Sequence, residues 1–213
     1  DLEEHKNYYY IAYDNFDTTL KKVIDEGIET YDVKQILMNA VEGIEYLHSK
    51  GIIHRDIRPQ NILIKNGPDF AIGKLSNFAF SKELPPGFDL QSISRSLIPT
   101  GYVARELYEY YRSEAGKSGE RKKCIDKSVD IFSMGIVMFE TLTNGFHPYC
   151  KGEEGDRQYN IINKMKPNFK PFDGKNLKLE RWQVEIARHL ITSMLLAPSE
   201  RPPASDVLNH PFF

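Results

Sequence analysis

The chain has 213 residues, of which 40% are hydrophobic and 27% are charged, and these values predict one globular domain, or most of one, with a substantial core. The formal net charge of -2 excludes a global attraction to nucleic acid or to anionic membrane, and the two cysteines, Cys124 and Cys150, lack metal-ligand spacing and fit a reducing compartment. Because the chain begins with charged residues and its most apolar run, 131–142, is too short to cross a bilayer, we predict no membrane segment and a cytoplasmic location, and leave a membrane-anchored parent protein open.

The first half of the chain contains the predicted strands. A tyrosine-rich stretch at 8–13 has strand composition, and residues 17–19 offer a helix N-cap. The clearest helix spans about 32–49, where apolar residues recur with i, i+3, i+4 spacing. Two short strands are predicted at 61–65 and 70–75, joined by Asn, Gly and Pro residues that favour a turn.

The second half is predicted to be mainly helical. Residues 76–100 have loop composition, and the polar, basic stretch 111–127 is typical of an exposed insertion. The run 129–142 is apolar nearly all round, as in a helix buried in a core. Further amphipathic segments are predicted at 156–165, 181–195 and 204–208. Because strands are few and early while helices are many and late, the sequence predicts an α+β fold in which a helical lobe carries a small β part.

The run 54–61, which reads His-Arg-Asp-Ile-Arg-Pro-Gln-Asn, contains the residue types that phosphoryl transfer requires. That reaction needs a group that orients the attacking hydroxyl and accepts its proton, ligands for magnesium, and cations against the charge on the transferring phosphate. The spacing of His, Arg, Asp and Asn in this run is that of a protein kinase catalytic loop, with Asp56 as the base and Asn61 as a magnesium ligand. A plain polar turn is the alternative, and the predicted helix and strand on either side favour the catalytic loop.

Further segments are similar to protein kinase motifs and occur in the family's order. They are 75–82, similar to the Asp-Phe-Gly segment, 101–106, similar to the Ala-Pro-Glu segment, 128–135, similar to the central buried helix, and 201–204 with 210–213, similar to the closing helix. Over almost its whole length the chain therefore resembles eukaryotic protein kinases of the serine/threonine type.

The resemblance implies an incomplete protein kinase domain over residues 1–213, with a protein-kinase-like α+β fold. Its parts would be the end of the small lobe with the hinge (1–16), the helical large lobe (17–213), the activation segment (77–106) and the basic insertion (111–127). Because the sequence contains neither the family's glycine-rich phosphate loop nor its strand lysine, we expect this chain alone to lack kinase activity.

The cofactors that the resemblance implies are ATP and Mg2+. Asp14 and Phe16 fall in the hinge, whose backbone would bond adenine, although an ordinary turn between a strand and a helix is the alternative. Leu63 would lie under the adenine ring.

The resemblance also implies structural roles. His54 and Phe78 would stack in a buried spine that links the two lobes. Asp130 would tie down the catalytic loop, and Arg201 would pair with Glu106 at the end of the activation segment.

Five positions depart from the family pattern, and together they favour impaired catalysis. Asn77 stands where the family has its magnesium-binding Asp, so the ligand keeps an oxygen and loses its negative charge. Arg58 replaces the catalytic-loop Lys and keeps the positive charge in a planar group. Ala79 replaces a Gly, Pro99 stands where a Thr is usual, and Arg105 replaces the Pro of Ala-Pro-Glu.

The activation-segment range contains possible phosphorylation sites at Ser92, Ser94, Ser96 and Thr100. A phosphate there could pair with Arg55, and a serine-rich loop without regulation is the alternative. The basic insertion lacks interleaved aromatic residues after its first position, so a solvated loop is favoured and no direct nucleic-acid site is predicted.

Among kinases, the chain is similar to the kinase–endoribonuclease sensor of the unfolded protein response and its relative ribonuclease L. The similarity rests on residues 10–12, 129–133, 144–148 and 210–213. It implies a protein substrate or regulatory partner and a homodimer. Two functions stay open: a serine/threonine kinase with impaired transfer from ATP to protein hydroxyls, and a pseudokinase scaffold that binds nucleotide or a partner and controls a neighbouring domain such as a ribonuclease.

Overall fold

The computed structural model describes residues 2–5, 8–11, 14–27, 31–67, 70–84, 101–112, 125–150, 156–173 and 179–213. The predicted phosphorylation sites, Ser92, Ser94, Ser96 and Thr100, lie outside these residues. Most of the predicted basic insertion also lies outside them, since only 111–112 and 125–127 belong to the described part.

The helices follow one another mainly in the second half of the chain. They are α1 (Leu20–Glu26), α2 (Val33–Ser49), α3 (Arg105–Arg112), α4 (Ser128–Leu142), α5 (Asp156–Ile162), α6 (Arg181–Met194) and α7 (Ala204–Leu208). The predicted helices at 32–49, 129–142, 181–195 and 204–208 are confirmed with closely agreeing ends. Helix α5 ends earlier than predicted because Lys164 adopts a left-handed conformation. None of the described helices is both long enough and apolar enough to cross a bilayer.

The strands form small antiparallel sheets. Strand β1 (Leu2–His5) pairs with β2 (Tyr8–Ile11), and β2 confirms the strand predicted at 8–13 over the residues that the structure describes. Strands β3 (Thr18–Thr19), β5 (Ile62–Asn66) and β6 (Ala71–Leu75) lie side by side in that order, with β5 in the middle. Strand β4 (Ile52–Ile53) pairs with β7 (Lys82–Glu83). Helices combined with small antiparallel sheets confirm the predicted α+β class.

Helix α2 forms one wall of the core. The Asp32 side chain caps its start by accepting a hydrogen bond from the Gln35 N–H, at 3.1 Å. The buried side chains on its inner face are Ile36, Leu37, Ala40, Val41 and Ile44. Strand β6 approaches this helix through Gly73, where an added Cβ would lie 2.8 Å from the Ile36 carbonyl oxygen. Only glycine permits that approach, so the β5–β6 hairpin packs directly on the α2 backbone.

Helix α4 is the centre of the helical lobe. Every residue from Val129 to Leu142 is buried, including the acidic residues Asp130 and Glu140. Gly135 allows close packing on α6, since an added Cβ would lie 3.0 Å from Met194 Cβ. A buried carboxylate needs hydrogen-bond donors or cations around it, so Asp130 and Glu140 indicate where α4 contacts polar groups of the candidate site.

Three predictions are corrected by the structure. Asn61 belongs to a 3-10 turn (Pro59–Asn61) and not to the following strand, because a proline at the first position favours a helical turn. The loop predicted at 76–100 contains a 3-10 turn (Phe78–Phe80) and strand β7 in its described part, since main-chain pairing with β4 is not visible in composition. The range 111–127 is not exposed throughout, because Ile125 packs into the core and is 2% exposed.

Candidate active site

The run 54–61 lies between β4 and β5, and α4 anchors its start. The Asp130 carboxylate accepts hydrogen bonds from the main-chain N–H groups of His54 and Arg55, each at 2.8 Å. His48 Nε2, near the end of α2, lies 3.0 Å from the same carboxylate. These contacts compensate a fully buried charge and hold Arg55 in a left-handed conformation with a φ of 67°. The contact that was expected between Asp130 and the loop is present.

Three polar side chains converge at the end of this loop. Asn61 Nδ2 donates to the Asp56 main-chain oxygen at 2.8 Å and to Asp56 Oδ2 at 2.6 Å. Asn77 Nδ2 donates to Asp56 Oδ2 at 3.2 Å and to Asn61 Oδ1 at 3.3 Å. Asn77 has a φ of 63°, a left-handed conformation that asparagine tolerates better than most residues. The two amides therefore share one oxygen of a single carboxylate. We call Asp56, Asn61 and Asn77 the amide–carboxylate cluster.

The remaining oxygen of Asp56 faces a cation. Arg58 Nε lies 3.2 Å from Asp56 Oδ1, which is ion-pair distance, but the pair lacks hydrogen-bond geometry. Asp56 is 3% exposed, and this burial raises the pKa of its carboxyl group, while the Arg58 charge, the Asn61 hydrogen bond and His54 act in the opposite direction. Oδ1 accepts no hydrogen bond from the described residues, so it is the oxygen that can accept a proton.

The oxygens around Asp56 do not fit a tightly held magnesium ion. Mg2+ needs near-octahedral oxygen ligands and favours carboxylates. Asn77 supplies no negative charge, and its nitrogen covers Asn61 Oδ1, the oxygen predicted to bind the metal. Within the described ranges, no group of three or more His, Cys, Asp and Glu side chains could hold a metal ion.

The predicted adenine residues lie around the β5–β6 hairpin. Lys74 Nζ lies 4.0 Å from Asp14 Oδ2 and 6.0 Å from the Phe16 ring centroid. Lys74 also stands opposite Leu63 in the antiparallel ladder, so these two side chains share one face of the hairpin. The structure therefore brings Asp14, Phe16 and Leu63 to one surface. Lys74, which no motif predicted, links them.

The expected stacking of His54 and Phe78 is present, but Phe78 is not buried. The two ring centroids are 5.0 Å apart, and the ring planes make an angle of 51°. His54 is 0% exposed and its Nε2 donates to the Ser76 carbonyl at 3.0 Å, whereas Phe78 is 50% exposed. The prediction of a buried spine is wrong for Phe78, because the 3-10 turn that follows the left-handed Asn77 leaves half of the ring in solvent.

Glu106 and Arg201 form the expected pair. Arg201 Nη1 and Nη2 donate to the two Glu106 carboxylate oxygens, at 2.5 Å and 3.3 Å. Arg201 also donates to the main-chain oxygens of Ser128, at 3.1 Å, and Leu196, at 2.8 Å. Its guanidinium carbon lies 4.8 Å from the Phe132 ring centroid. This arginine ties α3 and α4 to the segment before α7.

Arg55 has a different environment. Its side chain is buried, with 7% of the residue exposed, and its Nε and Nη1 have no hydrogen-bond partner among the described residues. A buried cation with unsatisfied N–H groups is destabilising, so an anion beside these two nitrogens would be strongly stabilised.

A cradle of polar side chains, which no motif predicted, holds the segment 101–104. Tyr102 Oη donates to Glu140 Oε2 at 2.5 Å, and Ser133 Oγ donates to the Tyr102 main-chain oxygen at 2.8 Å. Gln158 accepts from the Gly101 N–H at 3.0 Å and donates to the Val103 carbonyl. Burial raises the pKa of both Tyr102 and Glu140. The one sequence signal for this cradle is Glu140, an acidic residue in an otherwise apolar helix.

Comparison with known proteins agrees with this geometry. The sequence model of the protein kinase domain matches residues 1–213. The chain is 33% identical over 180 residues to serine/threonine-protein kinase/endoribonuclease IRE1b of Arabidopsis thaliana, covering 84% of this chain and 18% of that protein. It is 34% identical over 222 residues to serine/threonine-protein kinase/endoribonuclease IRE2 of Homo sapiens, covering 99% of this chain and 22% of that protein. The similarity expected from the sequence is confirmed, and the chain spans about a fifth of the length of these relatives.

Proposed function

Since the chain belongs to the protein kinase domain family, we propose that it is a serine/threonine protein kinase domain whose phosphoryl transfer is weakened at the metal site. The observation that supports this proposal is the amide–carboxylate cluster. Asp56 and Asn61 have the contacts that a catalytic loop needs, and Asn77 donates a hydrogen bond where a second carboxylate would bind a cation.

In the proposed reaction, Asp56 orients a serine or threonine hydroxyl of a protein substrate and accepts its proton at Oδ1. The freed oxygen attacks the γ-phosphorus of ATP, the bond to the β–γ bridging oxygen breaks, and ADP leaves. Arg58, beside Oδ1, supplies positive charge close to the reacting groups. Asp14 and Phe16 in the hinge and Leu63 on β5 would contact adenine. We derive no step from Mg2+, because the cluster does not fit that ion.

Regulation by phosphate is part of the same proposal. Arg55 offers two buried, unpartnered nitrogens among the described residues, and it directly precedes the proposed base. A phosphate on Ser92, Ser94, Ser96 or Thr100, in the activation segment of residues 77–106, would pair with this guanidinium.

A pseudokinase scaffold is the second candidate, and the Asn77 contacts favour it specifically. They occupy Asp56 Oδ2 and Asn61 Oδ1 by hydrogen bonds, and Arg58 faces the other Asp56 oxygen, so the cluster needs no metal ion to be stable. The names of the relatives, kinase/endoribonuclease, suggest that such a scaffold would control a neighbouring ribonuclease domain. We include homodimerisation and a cytoplasmic location in this proposal.

Phosphoryl transfer tests the leading function. In the full-length protein, transfer of radiolabelled phosphate from ATP to a general protein substrate should be weak. Asn77→Asp should raise the transfer rate roughly tenfold or more, because a carboxylate at this position would bind the metal ion whose charge neutralises the transferring phosphate. Adding Asp56→Asn to that variant should lower its transfer rate about a hundredfold or more. Transfer that Asp56→Asn leaves unchanged would show that another residue or a contaminating kinase is responsible.

Nucleotide binding separates the two candidates. A fluorescent ATP analogue that binds equally well with and without Mg2+, in a protein that transfers no phosphate even as the Asn77→Asp variant, would favour the scaffold. Binding that strengthens with Mg2+ in the Asn77→Asp variant would favour the weakened kinase.

A further inference from the structure

A groove of about 480 Å³ lies between α3, α4, α5 and the segment that follows α6. Its floor is apolar and contains the buried residues Phe132, Tyr149 and Ile161. At its rim, Met165 is 40% exposed and Leu196 is 41% exposed, and both are large apolar side chains. A concave apolar surface with exposed apolar edges is typical of a binding site and unusual for a surface that contacts only water.

The charges around the groove do not balance. Arg105 pairs with Glu109, and Glu106 pairs with Arg201, so these four residues are neutral as pairs. Lys164 and Lys166 also line the groove, and no carboxylate of the described residues lies within ion-pair distance of either ammonium group. The groove therefore has an apolar floor and a positive rim.

The backbone at Lys164 is strained. Its φ is 54°, and its N–H donates to the Ile161 carbonyl at 3.2 Å while the Met165 N–H donates to the Asn160 carbonyl at 3.0 Å. This is the Schellman pattern that ends a helix, and glycine is the usual residue at the left-handed position. A lysine in this conformation is less stable than glycine. Strained positions of this kind concentrate at functional sites.

We propose that this groove docks an acidic, apolar segment of a protein partner. One or two apolar side chains of the segment would pack on Phe132, Tyr149 and Ile161, and neighbouring Asp or Glu side chains would pair with Lys164 and Lys166. The ion-paired Arg105 and Glu109 line the same groove and offer hydrogen-bond donors and acceptors to a peptide backbone. An alkyl chain has no group that could bind them, so these residues favour a peptide.

This site is separate from the amide–carboxylate cluster, and docking there does not depend on phosphoryl transfer. The Glu106–Arg201 pair lines the groove, so a docked partner would lie against the end of the activation segment. Arg105 adds polar character to this end of the groove.

Peptide binding tests the proposal. The probe is a fluorescein-labelled pool of short peptides in which two adjacent positions vary among Leu, Ile, Phe and Met and are flanked by Glu on both sides. Anisotropy should show binding to the full-length protein that weakens as salt is raised. The double change Lys164→Gly with Lys166→Gln should weaken binding about tenfold, since two rim ion pairs are lost. Lys82→Gln, which changes an exposed lysine outside the groove, should leave binding unchanged.

Two control peptide pools test separately whether binding requires the acidic side chains and the apolar side chains of the probe. Replacing every Glu by Gln, or the variable apolar residues by Ser, should reduce binding to the level of the lysine variant. Met165→Glu should also reduce it, because a new negative charge at the rim repels the acidic probe. Binding that survives either peptide change or the lysine changes would overturn the proposal, and so would no binding to the wild-type protein.

Stability measurements keep the test independent of folding. Lys164→Gly relieves the left-handed strain, so its urea midpoint should equal or exceed that of the wild type while peptide binding falls. Lys166→Gln alone changes no strained residue and should still weaken binding about threefold. If the lysine changes instead dissolve a dimer seen by sedimentation and leave peptide binding unaltered, the occupant is a second copy of the chain and the proposal fails.

Discussion

The His147 ring is buried between the cradle of segment 101–104 and the loop after α4, and its contacts fix one neutral tautomer. Its Nε2–H donates to the Gly101 carbonyl at 2.7 Å, and its Nδ1 accepts from the Tyr149 N–H at 3.2 Å. Burial is the larger cause and the charge of Arg157 the smaller one, and together they lower the pKa of this imidazole to about 3 against the opposing hydrogen bond to Gly101. The ring therefore stays neutral in the folded protein at every ordinary pH.

This buried histidine predicts a pH dependence of stability. Between its ordinary pKa of 6.5 and its folded pKa of about 3, the unfolded state binds more protons, so the free energy of unfolding falls as pH is lowered. The slope from this group should reach about 1.4 kcal/mol per pH unit well below its ordinary pKa. Urea unfolding across mildly acidic pH should therefore show a steeper loss in the wild type than in His147→Gln, which can still donate to Gly101. Equal slopes would contradict the assignment.

Asn77 gives a second prediction at the level of a single residue. Asn77→Asp places a carboxylate where the amide now donates to Asp56 Oδ2 at 3.2 Å. Without metal, the lost hydrogen bond and the like charges should lower the free energy of unfolding by about 1–3 kcal/mol. Mg2+ should recover much of that loss, because its positive charge would offset the repulsion between the two carboxylates.

The measurement for Asn77 is thermal unfolding with and without Mg2+. The matched control is Asn209→Asp, which changes an exposed asparagine. A magnesium response of Asn77→Asp no larger than that of the control would show that the cluster cannot become a metal site by this change alone.

At the level of secondary-structure elements, β6 packs directly on the backbone of α2 at Gly73. Gly73→Ala should be destabilising by about 1–3 kcal/mol, because the new Cβ would lie 2.8 Å from the Ile36 carbonyl oxygen, and main chain cannot move as easily as a side chain. Gly43 lies on α2, on the helix side of the same contact, and Gly43→Ala should leave the free energy of unfolding unchanged or raise it. Its Cβ would meet the Leu75 side chain at 3.1 Å, and alanine favours the helix.

Urea unfolding of the two alanine variants checks this difference. If Gly73→Ala proves as stable as Gly43→Ala, β6 can move away from α2, and the hairpin is less firmly fixed than its packing indicates.

The long helices could be predicted from the sequence, whereas one short strand and one helix end could not. The periodicity of apolar residues is a local property, so it predicted α2, α4, α6 and α7 with closely agreeing ends. Strand β7 depends on pairing with β4, about thirty residues away, and no composition signal records that pairing. Helix α5 ends at a left-handed lysine, where a sequence pattern would have expected glycine.

For the whole molecule, the Glu106–Arg201 pair joins parts of the chain that are 95 residues apart. Arg201→Lys keeps the charge but loses the planar donors that reach Glu106, Ser128 and Leu196 together. We expect the free energy of unfolding to fall by about 1–3 kcal/mol, since hydrogen bonds of a pair largely shielded from water are lost while the charge remains. The control is Arg181→Lys, at an exposed arginine.

A double-mutant cycle with Glu106→Gln measures the coupling within this pair. Coupling near zero would show that the arginine acts mainly through Phe132 and the main-chain oxygens, and that the carboxylate contributes little to the stability of the domain.

The sequence by itself determined the family, the α+β class and most of the long helices, because periodicity and fixed motif spacing are properties of neighbouring residues. Only the tertiary structure decided what those residues contact. The Asn77 amide meets Asp56 from a position 21 residues away, and Tyr102 meets Glu140 from a position 38 residues away. It also left Phe78 half exposed, and left Lys164 and Lys166 without a described partner beside an apolar floor. These outcomes depend on which side chains packing brings together and shields from water, and that is a property of the folded chain.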